Sequence, residues 1–281
     1  MIRYYNVNGQ LVPTQEAALK VNDLAILRGY GIFDYFLVRE GVSMFLDDYV
    51  KRFFHSAQLM HLEIPFSATT LKDLIHALVE ANGVPEAGMR LVLTGGYADD
   101  GYTPVNPNVL ILEHPMPAIP SNDTGVKVLA HDYQRELPEA KTINYLTGIR
   151  LAGEMKAKGA VEILYHHNGI IREAVRSNFF LVTEDHRIVT AASEVLRGIT
   201  RKNVLTVAKN HFTIEERNIL LEELATAKEA FITSTIKGVL PVIQVGAQVI
   251  GNGKVGAVTR QLGALLEEYA KSYIENVKVE I

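Results

Sequence analysis

Any chemistry in this chain falls to amines, carboxylates and guanidiniums, because the other usual reagents are missing or badly spaced. The 281 residues contain no cysteine, which removes thiolate nucleophiles, thiolate metal sites and disulfides together. The nine histidines form no ligand pattern. His55 and His61 fall in one predicted helix but six residues apart, off a common face, while His166 and His167 are strand neighbours that point oppositely. Neither H-E-x-x-H nor G-x-S-x-G occurs, so zinc and serine hydrolase chemistry is disfavoured and no metal is expected. Gly251, Gly253 and Gly256 spell G-x-G-x-x-G. A dinucleotide fold would also need a βαβ unit and an acidic ribose partner on the next strand, and too little chain follows Gly256 to supply them. A hairpin and helix-start turn is the better reading.

Three other features carry more. Lys141 stands after Pro138 and before an apolar helix. A lysine becomes a nucleophile when its amine is neutral, and burial or neighbouring cations lower its pKa from about 10.4 toward that state. Taken alone, Lys141 reads as a solvated lysine near a helix start. Gly198-Ile199-Thr200 opens a predicted helix, where backbone N–H groups and the helix dipole attract phosphate. Arg52, three residues after Tyr49 on a helix with Phe53-Phe54, is either a surface arginine or a bidentate anion donor.

The elements that must position these residues follow from turn chemistry and periodicity. Asn8-Gly9, Glu40-Gly41, Asn168-Gly169 and Glu184-Asp185 predict hairpins. Strands are expected at 32–38, 43–46, 89–93, 109–112, 126–130, 161–165, 179–182, 230–233 and 239–245. Helices are expected over DDYVKRFFHSAQLM, capped by Asp47, over LKDLIHALVEAN, opened by Thr69 or Thr70 and stopped by Gly83, and over 145–158, 200–210 and 255–273. The mixture predicts an α+β (mixed α/β) architecture rather than regular βαβ winding. The length suits two domains. Prolines at 115, 117 and 120 mark the best linker. This places a first domain at 1–118, a linker at 119–124 and a second domain at 125–281. The net charge of −4, with both signs interspersed, suggests neither a nucleic-acid nor a membrane surface. No leader or long apolar run is seen, so a cytoplasmic protein is expected.

Five segments, RGYGIFDYF (28–36), FLDDYVKRF (45–53), AKTINYL (140–146), REAVRSNFFLV (172–182) and LRGITRKNV (196–204), together with ITSTIKGVLPV (232–242) and GKVGAVTRQL (253–262), resemble the class IV aminotransferases in order and spacing. That family includes branched-chain and D-amino-acid aminotransferases and aminodeoxychorismate lyases. The resemblance implies a fold type IV enzyme, with a small N-terminal α/β domain, a larger pseudo-barrel domain and pyridoxal 5'-phosphate (PLP) between them. It implies that Lys141 carries PLP and shuttles the proton. Glu173 would keep the pyridine nitrogen protonated, making the ring an electron sink. Arg52, Ile199, Thr200 and Thr235 would hold the phosphate, Tyr145 would reach the phenolic oxygen, and Leu196 would pack on the ring. Phe33, Arg90 and Ser234 fall at substrate positions.

Substrate hand is harder. The branched-chain Y-x-R-P stretch is here Gly88-Met89-Arg90-Leu91, and F-E-G is Phe33-Asp34-Tyr35. The arginine usual before a glycine in D-amino-acid enzymes is replaced by Gly95-Gly96. Arg28, at a position that projects into a partner's site, and Arg176, three residues after Glu173, are instead expected to bind the substrate carboxylate. The sequence thus resembles a D-amino-acid transaminase subgroup with a non-standard arginine set, acting as a homodimer on amino acids such as D-alanine or D-glutamate and 2-oxo acids. A branched-chain L-amino-acid aminotransferase is the alternative, and an aminodeoxychorismate lyase the third reading.

Overall fold

Asn8 and Gly9 take φ of 52° and 88°, the left-handed values that a two-residue hairpin needs. They join β1 (Tyr4–Val7) to β2 (Gln10–Pro13). This hairpin opens the first of two units in the computed structural model, which describes residues 1–280. Unit 1 holds Met1–Ala118, Ala140–Asn144 and the chain from Ser272. Its elements continue with α1 (Leu24–Arg28), β3 (Gly31–Arg39), β4 (Val42–Ser43), α2 (Leu46–Leu59), α3 (Ala68–Asn82), β5 (Ala87–Thr94) and β6 (Val109–Pro115). The sheet runs β2-β1-β6-β5-β3-β4. Strand alternation sends Ile32, Phe36, Met89, Leu91 and Ile111 to one fully buried face, with Phe53 of α2 and Leu71, Ile75 and Leu78 of α3 also fully buried. The opposite face carries Phe33, Tyr35 and Arg90, half-buried or exposed.

Unit 2 holds Ile119–Glu139 and Tyr145–Lys271. Its elements are β7 (Val126–Asp132), α4 (Leu146–Arg150), α5 (Ala152–Ala157), β8 (Glu162–His167), β9 (Ile170–Ala174), β10 (Ser177–Val182), β11 (Ile188–Thr190), α6 (Ile199–Ala208), β12 (Ile214–Glu216), β13 (Ile219–Leu220), a 3-10 turn at Leu221–Ala225, β14 (Glu229–Ser234), β15 (Gly238–Val245), β16 (Gln248–Val249) and the start of α7 (Ala257–Glu280). The pairings β10-β14-β15-β7-β8-β9 return to β10 through Ser177↔Ala174 and Asn178↔Glu173, closing a ring of strands. Phe179, Leu181, Ile232 and Leu240 fill one core. Phe180 and Phe231 stack at 4.7 Å on the other side, in a core shared with Val204 of α6 and Leu262 of α7. Parallel pairs (β7–β8, β7–β15, β11–β12) are mixed with antiparallel ones, so the α+β expectation holds.

Several boundaries differ from expectation. Asp47 is not the cap of α2: Phe45, at φ 51°, occupies that position and Asp47 lies in the first turn. Phe45 packs its ring on Tyr273 at 4.4 Å, and this left-handed step ends β4 after two residues instead of letting it run to Leu46. Ser67 caps α3, its hydroxyl accepting from Thr70 N–H. The helix expected over 145–158 breaks at Leu151; Gly148, which lies where a Cβ would meet Val175 at 2.5 Å, and Gly153 both weaken it. His61 lies beyond the end of α2 at φ 50°. The glycine series is a turn and helix start, as read. Gly251 and Gly253 have positive φ, and a Cβ on Gly256 would overlap Glu229. The Glu229 carboxylate accepts from Thr259 N–H at 2.8 Å and Val258 N–H at 3.1 Å, so the α7 N-terminus is satisfied by the chain itself. No helix among the described residues is long and apolar enough to cross a membrane.

One ion pair ties α2 to the sheet of unit 1. Arg52 donates a two-bond fork to Asp34, Nε to Oδ2 at 2.9 Å and the terminal nitrogen to Oδ1 at 2.6 Å, and Asp34 is fully buried. Removing one member of a buried pair strands the other charge. Arg52→Ala is therefore expected to lower stability by about 3 kcal/mol, read by urea denaturation of the cofactor-free protein. A loss below ~1 kcal/mol would show that Asp34 finds another counter-charge.

Candidate active site

The segment carrying Lys141 belongs to unit 1 although both its flanks belong to unit 2. Backbone bonds on two sides hold it. The Lys141 carbonyl accepts from Phe33 N–H at 2.9 Å, and Ile143 N–H donates to the Gly31 carbonyl at 3.1 Å. Lys141 N–H donates to Ser56 Oγ, on α2, at 3.1 Å. Ser56 and Ala140 are fully buried, so this stretch lies against β3 and α2 as a short extra strand, bridged at Ile32↔Thr142. Gly31 is required here, because a Cβ would sit 2.6 Å from the Leu93 carbonyl. The Lys141 ammonium lies 4.6 Å from the centroid of the Phe33 ring. Arg90, opposite Tyr35 in the β3–β5 register, lies 5.6 Å from Phe33 and 5.8 Å from Tyr35 by the same measure. Lys141, Phe33, Arg90 and Tyr35 thus gather on the open face of the unit 1 sheet. Arg52 turns one edge of its guanidinium to Asp34.

In unit 2, Glu173 is 5% exposed and each carboxylate oxygen has a partner. Oε1 accepts from Arg135 at 2.9 Å, and Oε2 accepts from Leu196 N–H at 3.0 Å. Arg135 also donates to the Pro138 carbonyl at 3.0 Å, fixing the loop that leads to Lys141. The Leu196 carbonyl accepts from Asn178 Nδ2 at 2.7 Å. A Cβ on Gly198 would lie 2.2 Å from Asn178 Oδ1, so any larger residue would displace the Asn178 amide. Gly198 caps α6 without a side-chain hydrogen bond, leaving the first-turn N–H groups of Ile199 and Thr200 with no intrahelical acceptor. Thr235 opens the turn after β14, and Ser234 Oγ accepts from Lys237 N–H at 3.3 Å. Tyr145 precedes α4 as its cap residue. Arg176 sits at the tip of the tight β9–β10 hairpin with its side chain 60% exposed.

Glu173, Leu196, Gly198 and Asn178 are thus brought together within unit 2. Arg28 is elsewhere, exposed at the end of α1 in unit 1. Asp23 caps that helix and is itself held by Thr94 and Asn108. The sequence reading missed Asp34 and Arg135 as the counter-charges of Arg52 and Glu173, and it missed Glu162 and Lys237 beside Arg176. Asp34 and Lys237 stood within quoted motifs with no role given to them; Arg135 and Glu162 carried no local signal.

The residues present suit PLP. A buried carboxylate held from behind by a guanidinium and an N–H complements a protonated ring nitrogen. An amine on a rigid segment suits covalent attachment, and an uncapped helix N-terminus suits phosphate. Comparison with known proteins agrees. The class IV aminotransferase family matches residues 31–245. A Bacillus licheniformis D-alanine aminotransferase is 28% identical over 280 residues, covering 94% of this chain and 98% of the relative. A Methanocaldococcus jannaschii protein with a provisional branched-chain-amino-acid aminotransferase name is 28% identical over 267 residues, covering 91% and 92%. The crystal structure of the T.th. branched-chain amino acid aminotransferase with pyridoxamine 5'-phosphate superposes with a TM-score of 0.90 at 25% identity, covering 97% of this chain and 95% of that one. The chain belongs to the class IV aminotransferases, a PLP-dependent family with the type IV fold.

Proposed function

We propose that this aminotransferase acts on D-amino acids, with a 2-oxo acid as acceptor, and that Arg176 and a partner subunit's copy of Arg28 bind the substrate carboxylate. The observation that carries this reading is Arg176. Its guanidinium sits at a hairpin tip three residues after Glu173, exposed, with one loose ion pair to Glu162 at 3.6 Å. A carboxylate buried without donors is costly, and a cation held this lightly can turn to a ligand. A branched-chain side chain calls for apolar walls in the place that Arg176 makes polar. Arg28 supports the dimeric part of the reading. It is exposed on the same short helix as the exposed Ile26 and Leu27, and exposed apolar side chains of this kind suit an association surface.

When bound, PLP supplies the electron sink and carries the amino group from one substrate to the other. On this reading Lys141 Nζ would hold the cofactor covalently and would serve as the base that moves the proton at the substrate Cα. Glu173 holds a proton on the ring nitrogen, with Arg135 and the Leu196 N–H fixing the carboxylate. The N–H groups of Ile199 and Thr200 and the Thr235 hydroxyl would take the phosphate, and Arg52, anchored through Asp34, is the further cation that the family resemblance assigns to it. Tyr145 would donate to the phenolic oxygen and Leu196 would pack on the ring. Phe33, Arg90 and Ser234 line the substrate side.

Lys141→Ala is expected to fold yet retain no covalent cofactor. Borohydride reduction and peptide mass analysis of the wild type should place the label on Lys141; a label on another lysine overturns the assignment. Glu173→Gln should keep the cofactor and slow the single-turnover half-reaction by about 100-fold, with substrate affinity little changed; an unchanged rate removes Glu173 from the chemistry.

The substrate reading is tested by mixing the protein separately with D- and L-alanine, glutamate and leucine and following conversion of PLP to its amine form. D-alanine or D-glutamate should react faster than L-leucine. Arg28→Ala and Arg176→Ala should each raise the KM for D-amino acids by about tenfold, and the double variant should lose less than the sum because both act on one group. A preference for L-leucine, or neutral behaviour of both variants, returns the assignment to the branched-chain class.

A further inference from the structure

Behind Arg176 lies a charge cluster that the reaction described above does not use. Glu162, the first residue of β8, is 1% exposed. Its Oε1 faces Arg176 Nε at 3.6 Å. Its Oε2 accepts from the Lys237 ammonium and from Ser177 Oγ, the latter at 3.3 Å. Lys237 also donates to Ser177 Oγ at 3.0 Å. The four residues converge because their strand ends do. Asn178 pairs with Thr233, so Ser177 falls opposite Ser234, the last residue of β14, and Lys237 lies in the turn that follows. Asn178 also pairs with Glu173, so the cluster is at the Glu173 end of the strands. All of it lies within unit 2.

The charges do not balance. Two cations share one carboxylate, leaving one positive charge in excess. Arg176 discharges part of its share into solvent, but the Lys237 side chain is 12% exposed. Burial, and to a lesser degree the Arg176 charge, push the Lys237 ammonium below its ordinary pKa, against the pull of Glu162. An ammonium has three N–H donors, and two are taken by Glu162 and Ser177. A largely covered ammonium with one N–H still unused, next to an exposed guanidinium, is complemented by an anion that reaches both.

We infer that Lys237 is a second carboxylate-binding cation of this site, acting with Arg176 on the substrate carboxylate, and that Glu162 is a positioning residue that holds the two. This rests on the reading of Arg176 given above. Lys237 donates its third N–H to the incoming oxygen. Glu162 keeps the two cations in place and offsets their mutual repulsion while the site is empty. The bland alternative is that Lys237 merely neutralises a buried glutamate.

Binding of propionate and of its uncharged isostere propionamide to the holoenzyme, by calorimetry, separates the two. In Lys237→Gln, propionate should bind about tenfold more weakly, propionamide should be unaffected, and KM for amino and oxo acids should rise while kcat changes by less than about threefold. Because Lys237→Gln leaves the buried Glu162 with only its loose pair to Arg176, Glu162→Gln/Lys237→Gln serves as the second variant, with both charges removed together. The weakened propionate binding should persist in it. Recovery of wild-type propionate affinity in the double variant, or unchanged affinity in the single one, overturns the inference. A wild-type preference for L-leucine would sink the reading of handedness without touching this one, since amino acids of either hand carry the carboxylate.

Discussion

A reactive amine on a long flexible side chain is only as well placed as the backbone that bears it. Five residues around Lys141 leave unit 2 and join the sheet of unit 1. There the Lys141 carbonyl and N–H are both engaged, one by Phe33 and the other by Ser56. The two partners lie on different elements, so the peptide groups on either side of the Lys141 Cα are each held by a hydrogen bond. Much of the local sequence serves this docking. Gly31 has no side chain because the next strand's carbonyl occupies its Cβ position. Ser56 faces inward on α2 because an acceptor is needed there. Ala140 is small because it is fully buried.

Three of the charged residues obey a second rule, that each is held by an opposite charge from another element or loop. Asp34 stands behind Arg52, Arg135 behind Glu173, and Glu162 behind Arg176. A lone ion buried in an apolar interior would neutralise or drag in water, whereas a paired one keeps its charge and orientation. The pairs differ in tightness. The fork between Arg52 and Asp34 has both bonds below 3 Å, and the pair at Arg176 is 3.6 Å. Tight pairs suit groups that must hold a resident cofactor. A loose pair suits one that releases its partner when a substrate arrives and takes it back afterward.

Much of the local architecture was legible in the sequence because its signals are local. The Asn-Gly and Glu-Gly turns demand positive φ, and Asn8, Glu40 and Asn168 have it. The start of α2 was not legible, because Phe45 caps it by backbone conformation rather than by a side-chain bond, its ring supported by Tyr273 far along the chain. Lys141 and Glu173 could be singled out because the resemblance covers them, but the partners that position them could not. Arg52 finds Asp34 across 18 residues, Glu173 finds Arg135 across 38 and Lys237 finds Glu162 across 75. Such pairings are set by how helices, loops and turns pack on the strands, which one sequence does not state. The same gap explains why two arginines were visible near the carboxylate question while the lysine beside one of them was not.

The β9–β10 hairpin shows what register adds. It closes the ring of strands through Ser177↔Ala174 and Asn178↔Glu173, so its tip cannot shift without opening the ring. Glu173 stands on one arm of the hairpin, buried, and Arg176 stands at the tip, exposed. A three-residue spacing therefore separates an inward carboxylate from an outward cation by a fixed backbone geometry. A substrate whose carboxylate meets the tip is constrained at one end by the same two strands that hold Glu173. Arg28, on a short exposed helix capped by Asp23, is the less rigid member of the proposed clamp. On that reading the hand of the substrate is set mainly by the hairpin, and the neighbouring subunit closes the site over a carboxylate already placed.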